Sequence, residues 1–164
     1  MAHIITTNAN QSRHCATVTQ SVLIQKMPDV VWDEIGNFVG LARWVEGVQK
    51  TEFLSKTRHG VGAARKISFS DGSDVIEYAV GWDDGKYISY IATDGLPLDG
   101  YHATISILPK GKTSQVSWTS FLISDGHDKK KFEEFLEFIE SFYKSSLKNL
   151  KTRLEKAVCS KDGV

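Results

Sequence analysis

Arg65 and Glu77 are the residues whose types and placement point most directly to chemistry in this chain. They sit on two consecutive extended runs, Ala63–Ser70 and Asp74–Trp82, joined through Ser70-Asp71-Gly72. That hairpin can close in two ways. A two-residue Asp71-Gly72 turn pairs Ser70 with Ser73 and sets Arg65 opposite Tyr78. A three-residue loop, with Gly72 in the left-handed region, pairs Phe69 with Ser73 and sets Arg65 opposite Glu77. The choice matters because a one-residue slip reverses every side chain of one strand relative to the other. Apolar alternation alone turns Ile76, Tyr78, Val80 and Trp82 inward and sends Glu77 to solvent. An ion pair there is worth at most about 1 kcal/mol. Turned inward, Glu77 is costly to bury alone but tolerable beside Arg65. It then brings polar convergence into an apolar hollow, and with its partner displaced it becomes a general acid or base.

Other chemistries find little support. His3, His14, His59, His102 and His127 show no metal-ligand spacing. Cys15 and Cys159 have no CxxC neighbour, so they are expected to be reduced and dispensable. There is no believable Ser-His-Asp or Cys-His constellation and no phosphate-cradling glycine motif. No metal and no cofactor is expected. Lys+Arg and Asp+Glu are balanced at 20 each, which leaves no net basic field to attract nucleic acid or anionic lipid. Lys129, Lys130 and Lys131 open the last helix, and Lys144, Lys148, Lys151, Arg153 and Lys156 crowd its end. Basic residues there complement the helix dipole. No apolar run reaches membrane-spanning length and no signal-like start is visible, so the expectation is a cytoplasmic protein without stable membrane insertion, a monomer or weak dimer.

These residues need elements to hold them. With 164 residues, the chain is expected to form one domain at 16–158, after a flexible lead-in at 1–15 and before a short tail at 159–164. Thr17–Gln25 reads as strand one. Pro28 suits the first turn of a helix, and the apolar residues to Phe38 keep helical spacing, although Gly36 and Gly40 divide the segment into two short helices. Val48–Ser55 is strand two, Ala63–Ser70 three, Asp74–Trp82 four and Lys86–Thr93 five. Asp94–Gly100 is a loop, Tyr101–Leu108 is strand six, Pro109–Lys112 a turn, and Ser114–Ile123 strand seven. A long helix from about Asp128 to Ala157 carries Phe132, Phe135, Leu136, Ile139, Phe142, Tyr143, Leu147, Leu150 and Leu154 as one stripe. A curved antiparallel sheet around such a helix leaves a hollow for a small apolar molecule.

Trp44, Tyr90, Tyr101 and Trp118 are candidates for the wall of that hollow, or else they simply fill the core. Tyr101, Ala103 and Ile105 share one face of strand six, and Trp118 and Ser120 share a face of strand seven. Small residues between large ones, Ala103 and Ser120, leave room. An enclosed space of roughly 300–1,000 Å³ is expected. His102 falls on the opposite face from Tyr101 and is read as exposed; His59 is read as a loop residue.

The segments FVGLARWVEGV (38–48), GVGAARKISFSDGSDVIEYAVGWDD (60–84), GLPLDGYHATISI (95–107) and VSWTSF (116–121) carry a resemblance to the START-like, or SRPBCC, superfamily. That group holds the polyketide cyclase/dehydrase and lipid-transport family, birch-pollen-allergen-like proteins and plant abscisic acid receptors. The resemblance spans roughly residues 16–157. It implies an α+β helix-grip fold: a seven-stranded curved antiparallel sheet gripping the C-terminal helix, with two short helices between strands one and two. It also implies that Glu77 points into the cavity, with Arg65 on strand three and Tyr101 at the start of strand six. Ile67 and Phe69 join them among the expected ligand contacts. Phe138, Phe142 and Ser146 resemble helix positions that face the cavity in relatives. Gly95-Leu96-Pro97 resembles a hormone-receptor gate loop, but that loop lies between strands three and four and this one between five and six, so the gating role does not carry over.

The expected function is binding or transport of a small hydrophobic or amphipathic molecule, such as a lipid. The alternative is a cyclase or dehydratase on a polyketide-like substrate, in which Glu77, Arg65 and Tyr101 do the acid–base work. A second alternative is a chaperone-like interaction protein with no small ligand. An open pocket with a convergent polar trio favours the enzyme, one polar anchor favours the carrier, and a filled core favours the interaction protein.

Overall fold

Extended runs dominate the centre of this chain, and they must bury one face each; the computed structural model shows how they do so. It describes residues 3–5, 13–126 and 128–156; Ala157 and Cys159 lie outside these. The elements are β1 (His3–Ile5), β2 (Cys15–Ile24), α1 (Pro28–Ile35), a 3₁₀ turn (Leu41–Arg43), β3 (Val48–Phe53), β4 (Ala64–Phe69), β5 (Asp74–Asp83), β6 (Tyr87–Asp94), β7 (Leu98–Lys110), β8 (Thr113–Ser124) and α2 (Lys129–Lys156). All strands pair antiparallel in one sheet of order β1-β2-β8-β7-β6-β5-β4-β3. β2 to β8 make the expected seven-stranded helix-grip sheet. Within the stretch expected as a lead-in, His3–Ile5 adds a three-residue eighth strand on the open edge of β2.

The sheet curves because its register slips. Ladder irregularities fall at Ile76/Glu77 and Ala79/Gly81 between β5 and β6, and at Leu98/Gly100 between β7 and β8. Bulges of this kind bend the strand and raise its twist. Into the concave side sinks α2, through Phe132, Leu136, Ile139, Tyr143, Ser146, Leu147, Leu150 and Leu154. Phe135 and Phe142, from the same expected stripe, are only half-buried. They stand where the hollow opens.

Both ends of β7 differ from the sequence reading. β7 begins at Leu98 rather than Tyr101, because the bulge lets Leu98 reach Ser124 while Gly100 pairs with Ile123. It also runs through Pro109 to Lys110, where a turn was expected. β6 pairs β7 no further than Ser106, and the last bond on that side is Ile107 N–H to Lys86 O at 2.7 Å, so the missing N–H of Pro109 interrupts no ladder. The early helical segment is, as read, two short pieces: α1 starts on Pro28, and the 3₁₀ turn follows Gly40.

The hairpin that sets Arg65 against Glu77 closes in the three-residue form. Phe69 N–H donates to Ser73 O at 2.9 Å, Gly72 N–H donates to Phe69 O at 3.0 Å, and Gly72 has φ 88°. The Asp71 carboxylate accepts from Ser73 N–H at 2.9 Å and Ser73 Oγ at 2.6 Å, which pins the loop. Arg65 is therefore paired with Glu77 across the strands.

Candidate functional site

Arg65 and Glu77 both point to the concave side. Arg65 is 4% exposed and Glu77 5%, whereas Tyr78 on the other face is 41% exposed. Apolar alternation along β5 thus misassigns its faces: Tyr78 and Val80 stand in solvent, and the carboxylate is inside. Arg65 Nε–H and Nη2–H both donate to Glu77 Oε2, at 2.8 and 2.6 Å. A third donor, Nη1–H, reaches Phe38 O at 2.7 Å. The guanidinium also lies 3.9 Å from the Phe38 ring centroid and 5.0 Å from that of Tyr90. The segment between α1 and the 3₁₀ turn therefore has a specific task, to hold the arginine from behind.

Burial lifts the Glu77 carboxyl above its ordinary value, against the charge and hydrogen bonds of Arg65. Burial also pushes the Tyr90 and Tyr101 hydroxyls well above theirs, with the Glu77 charge adding to the effect. Tyr143 is raised for the same first reason. All three are neutral hydroxyls at neutral pH. Trp118 Nε1–H donates to Tyr90 Oη at 2.7 Å, and the Tyr101 and Tyr143 hydroxyls are hydrogen-bonded to each other. Trp118 stacks on Tyr143 with centroids 4.3 Å apart.

Above this polar floor lies a cavity of about 220 Å³ between the sheet and the N-terminal half of α2. This is smaller than the expected range, because Trp118, Phe69 and Phe142 pack toward one another from three elements. Nine of the expected contact residues border it: Arg65, Ile67, Phe69, Glu77, Tyr90, Tyr101, Trp118, Phe138 and Phe142. Phe138 is 58% exposed and stands at the mouth rather than in the core. Opposite it, Gly95, Leu96 and Pro97 form the other lip. Gly95 has φ +91°, and a Cβ there would sit 1.9 Å from Asp74 O, so only glycine lets this loop lie against the start of β5.

Four expected contacts lie elsewhere. Trp44 and Ile105 border a separate void of about 10 Å³ behind Trp118. Ala103 and Ser120 are buried and border neither space, because the Trp118 and Tyr143 rings occupy the room that the small residues leave. Ser146 is likewise not in the lining; its Oγ accepts from Glu46 N–H at 2.9 Å. Sequence reading missed Leu41, Val45, Val48, Val75, Leu96, Phe135 and Ile139 in the wall. Some of these were within reach. Val75 lies two residues before Glu77 on the same face of β5, and Phe135 and Ile139 share a helix face with Phe138 and Phe142. Among the described residues there is no cluster of His, Cys, Asp and Glu fit to hold a metal. His102 is exposed, and His59 contacts Asp84 on the surface at 2.9 Å.

The sequence pattern of a family described as polyketide cyclase / dehydrase and lipid transport matches residues 16–155. The chain belongs to that family. The START-like, SRPBCC-type resemblance read from the sequence is thereby borne out, and membership supports a ligand-binding or cyclase-type function. Solved structures agree with this family member on fold. Protein XoxI from Bacillus cereus is 25% identical, with TM-score 0.73 over 86% of this chain and 96% of that one. A protein from Thermobifida fusca is 22% identical, with TM-score 0.74 over 87% and 95%. The aromatase/cyclase Zhui from Streptomyces sp. R1128 is 15% identical, with TM-score 0.73 over 92% of this chain and 100% of that one. No curated protein matches this family member. Among its described residues no helix is long and apolar enough to cross a membrane.

Proposed function

We propose that this protein binds a small hydrophobic or amphipathic molecule in the cavity between the sheet and α2. One observation carries the reading: an apolar, partly open space ends on a small buried polar floor, the Arg65–Glu77 pair, with the Tyr90 and Tyr101 hydroxyls beside it already bonded to Trp118 and Tyr143. Apolar walls supply affinity, and a few fixed polar groups supply orientation. At about 220 Å³ the space suits a compact molecule better than a long acyl chain. A core filled by Trp118, Phe138 and Phe142 would have favoured an interaction protein without a ligand, and the cavity speaks against that. Native mass spectrometry of gently purified protein tests the reading. A co-purifying small molecule lost on mild denaturation is the expected result; a clean apo mass, with no binding of added apolar compounds, refutes it.

A cyclase- or dehydratase-type activity is the second reading. Its support is the Glu77 carboxyl, raised by burial and bordering the same space as the neutral Tyr101 hydroxyl. Glu77 would take or give a proton, and Tyr101 would donate a hydrogen bond to a developing oxyanion. Arginine side chains do not give up a proton in proteins, so Arg65 would only hold charge. Turnover of a polyketide-like substrate that disappears in Glu77→Gln, with binding kept, would establish this reading over simple carriage.

A further inference from the structure

Charge is distributed unevenly around the cavity. Among the described residues Arg65 is the one cation in its lining, and it is already engaged by Glu77 Oε2 and Phe38 O. Two carboxylates border the space, Glu77 at the floor and Asp71 near the mouth. Among the described residues no hydrogen bond reaches the other floor oxygen, Glu77 Oε1. The floor therefore offers a carboxylate acceptor backed by a compensated cation, and the hydroxyls beside it, Tyr90 and Tyr101, are neutral.

We infer that the cavity takes a compact neutral molecule whose hydroxyl donates to Glu77 Oε1, and that it rejects a carboxylate of the same shape. The inference rests on the reading of this cavity as a ligand site. A hydroxyl leaves water at modest cost and makes a charge-assisted bond to a carboxylate. A carboxylate leaving water finds no uncompensated cation in the wall and meets two like charges, and an unpaired buried charge is strongly disfavoured. An ammonium group would reach Oε1 with the Arg65 guanidinium directly behind it, 2.6 Å from the other oxygen.

Three ring compounds of matched shape decide the matter: cyclohexylmethanol, cyclohexanecarboxylate and cyclohexylmethylammonium. Each is titrated calorimetrically into the full chain at neutral pH and physiological salt. The alcohol is expected to bind at least about tenfold more tightly than the carboxylate, and more tightly than the ammonium. A carboxylate or ammonium that binds as well as the alcohol overturns the inference but leaves the cavity a ligand site. Failure of all three to bind overturns both. Glu77→Gln leaves the guanidinium uncompensated, so in a folded variant the alcohol-to-carboxylate preference should shrink about tenfold or invert. An unchanged ratio there also refutes the assignment. If the variant does not fold, the ordering of the three compounds on the unaltered protein is sufficient.

Discussion

Removing one partner of the Arg65–Glu77 pair should expose how much of the fold depends on it. Glu77→Ala deletes the acceptor of two short hydrogen bonds and leaves a guanidinium that is 4% exposed with only Phe38 O and two ring faces. Breaking a buried pair in this way costs about 3–5 kcal/mol, less if water in the cavity reaches the arginine. Arg65→Met should cost less than Glu77→Ala. The carboxyl left behind can neutralise by taking a proton, whereas an arginine cannot shed one. The double variant should cost less than the sum of the two, with a coupling of about 1–3 kcal/mol. Urea unfolding followed by circular dichroism measures all four corners of the cycle. Additive effects, each near 1 kcal/mol or below, would mean that the pair behaves like a surface contact, and the reasoning about this site would fail.

Three further outcomes follow from the same contacts. The raised Glu77 value means the folded state favours its protonated form, so that its contribution to stability is full below about pH 4.5 and is lost as pH rises through the folded-state value; the difference between the unaltered protein and Glu77→Gln across pH should show this loss, and a difference that instead grows in favour of the unaltered protein would contradict it. Tyr143→Phe takes from the buried Tyr101 hydroxyl its hydrogen-bond partner, so it should cost about 1–3 kcal/mol, whereas Tyr101→Phe leaves Tyr143 within reach of Ser120 and should cost less; equal and additive small losses would show that the two do not rely on each other. Truncation before Phe132 removes the stripe that fills the concave face, so the shortened chain should not unfold cooperatively; a sharp transition would contradict the architecture.

The succession of strands along the chain and the closing helix were legible because their signals are local. Period-two runs separated by Gly, Asp and Pro mark β2 to β8, and the stripe from Phe132 to Leu154 marks α2. The face of β5 was not legible from hydrophobicity. Its outer face carries Tyr78 and Val80, and its inner face carries Glu77, the reverse of a simple apolar-in rule. The turn chemistry of Ser70-Asp71-Gly72 held the needed information but allowed two registers, and the Asp71–Ser73 bonds fit the one adopted. The extent of the cavity depends on where Trp118 turns its ring, a rotamer choice between Trp44, Phe142 and Tyr143 that no single-strand pattern encodes. For that reason Ala103 and Ser120 read as room for a ligand when they are room for aromatic rings.

The proposed ligand site is the space beside Arg65 and Glu77. Val75 is buried in its wall, two residues from Glu77 on the same strand. Val75→Phe should fill much of the cavity while the sheet and α2 keep their pairing, at a cost of about 1–3 kcal/mol for overpacking. The most direct measurement is the affinity of cyclohexylmethanol for this variant beside the unaltered protein, with cooperative unfolding checked in both. Binding to the unaltered protein and its loss in the folded variant is the expected result. Equal binding to both would place the ligand elsewhere and contradict it.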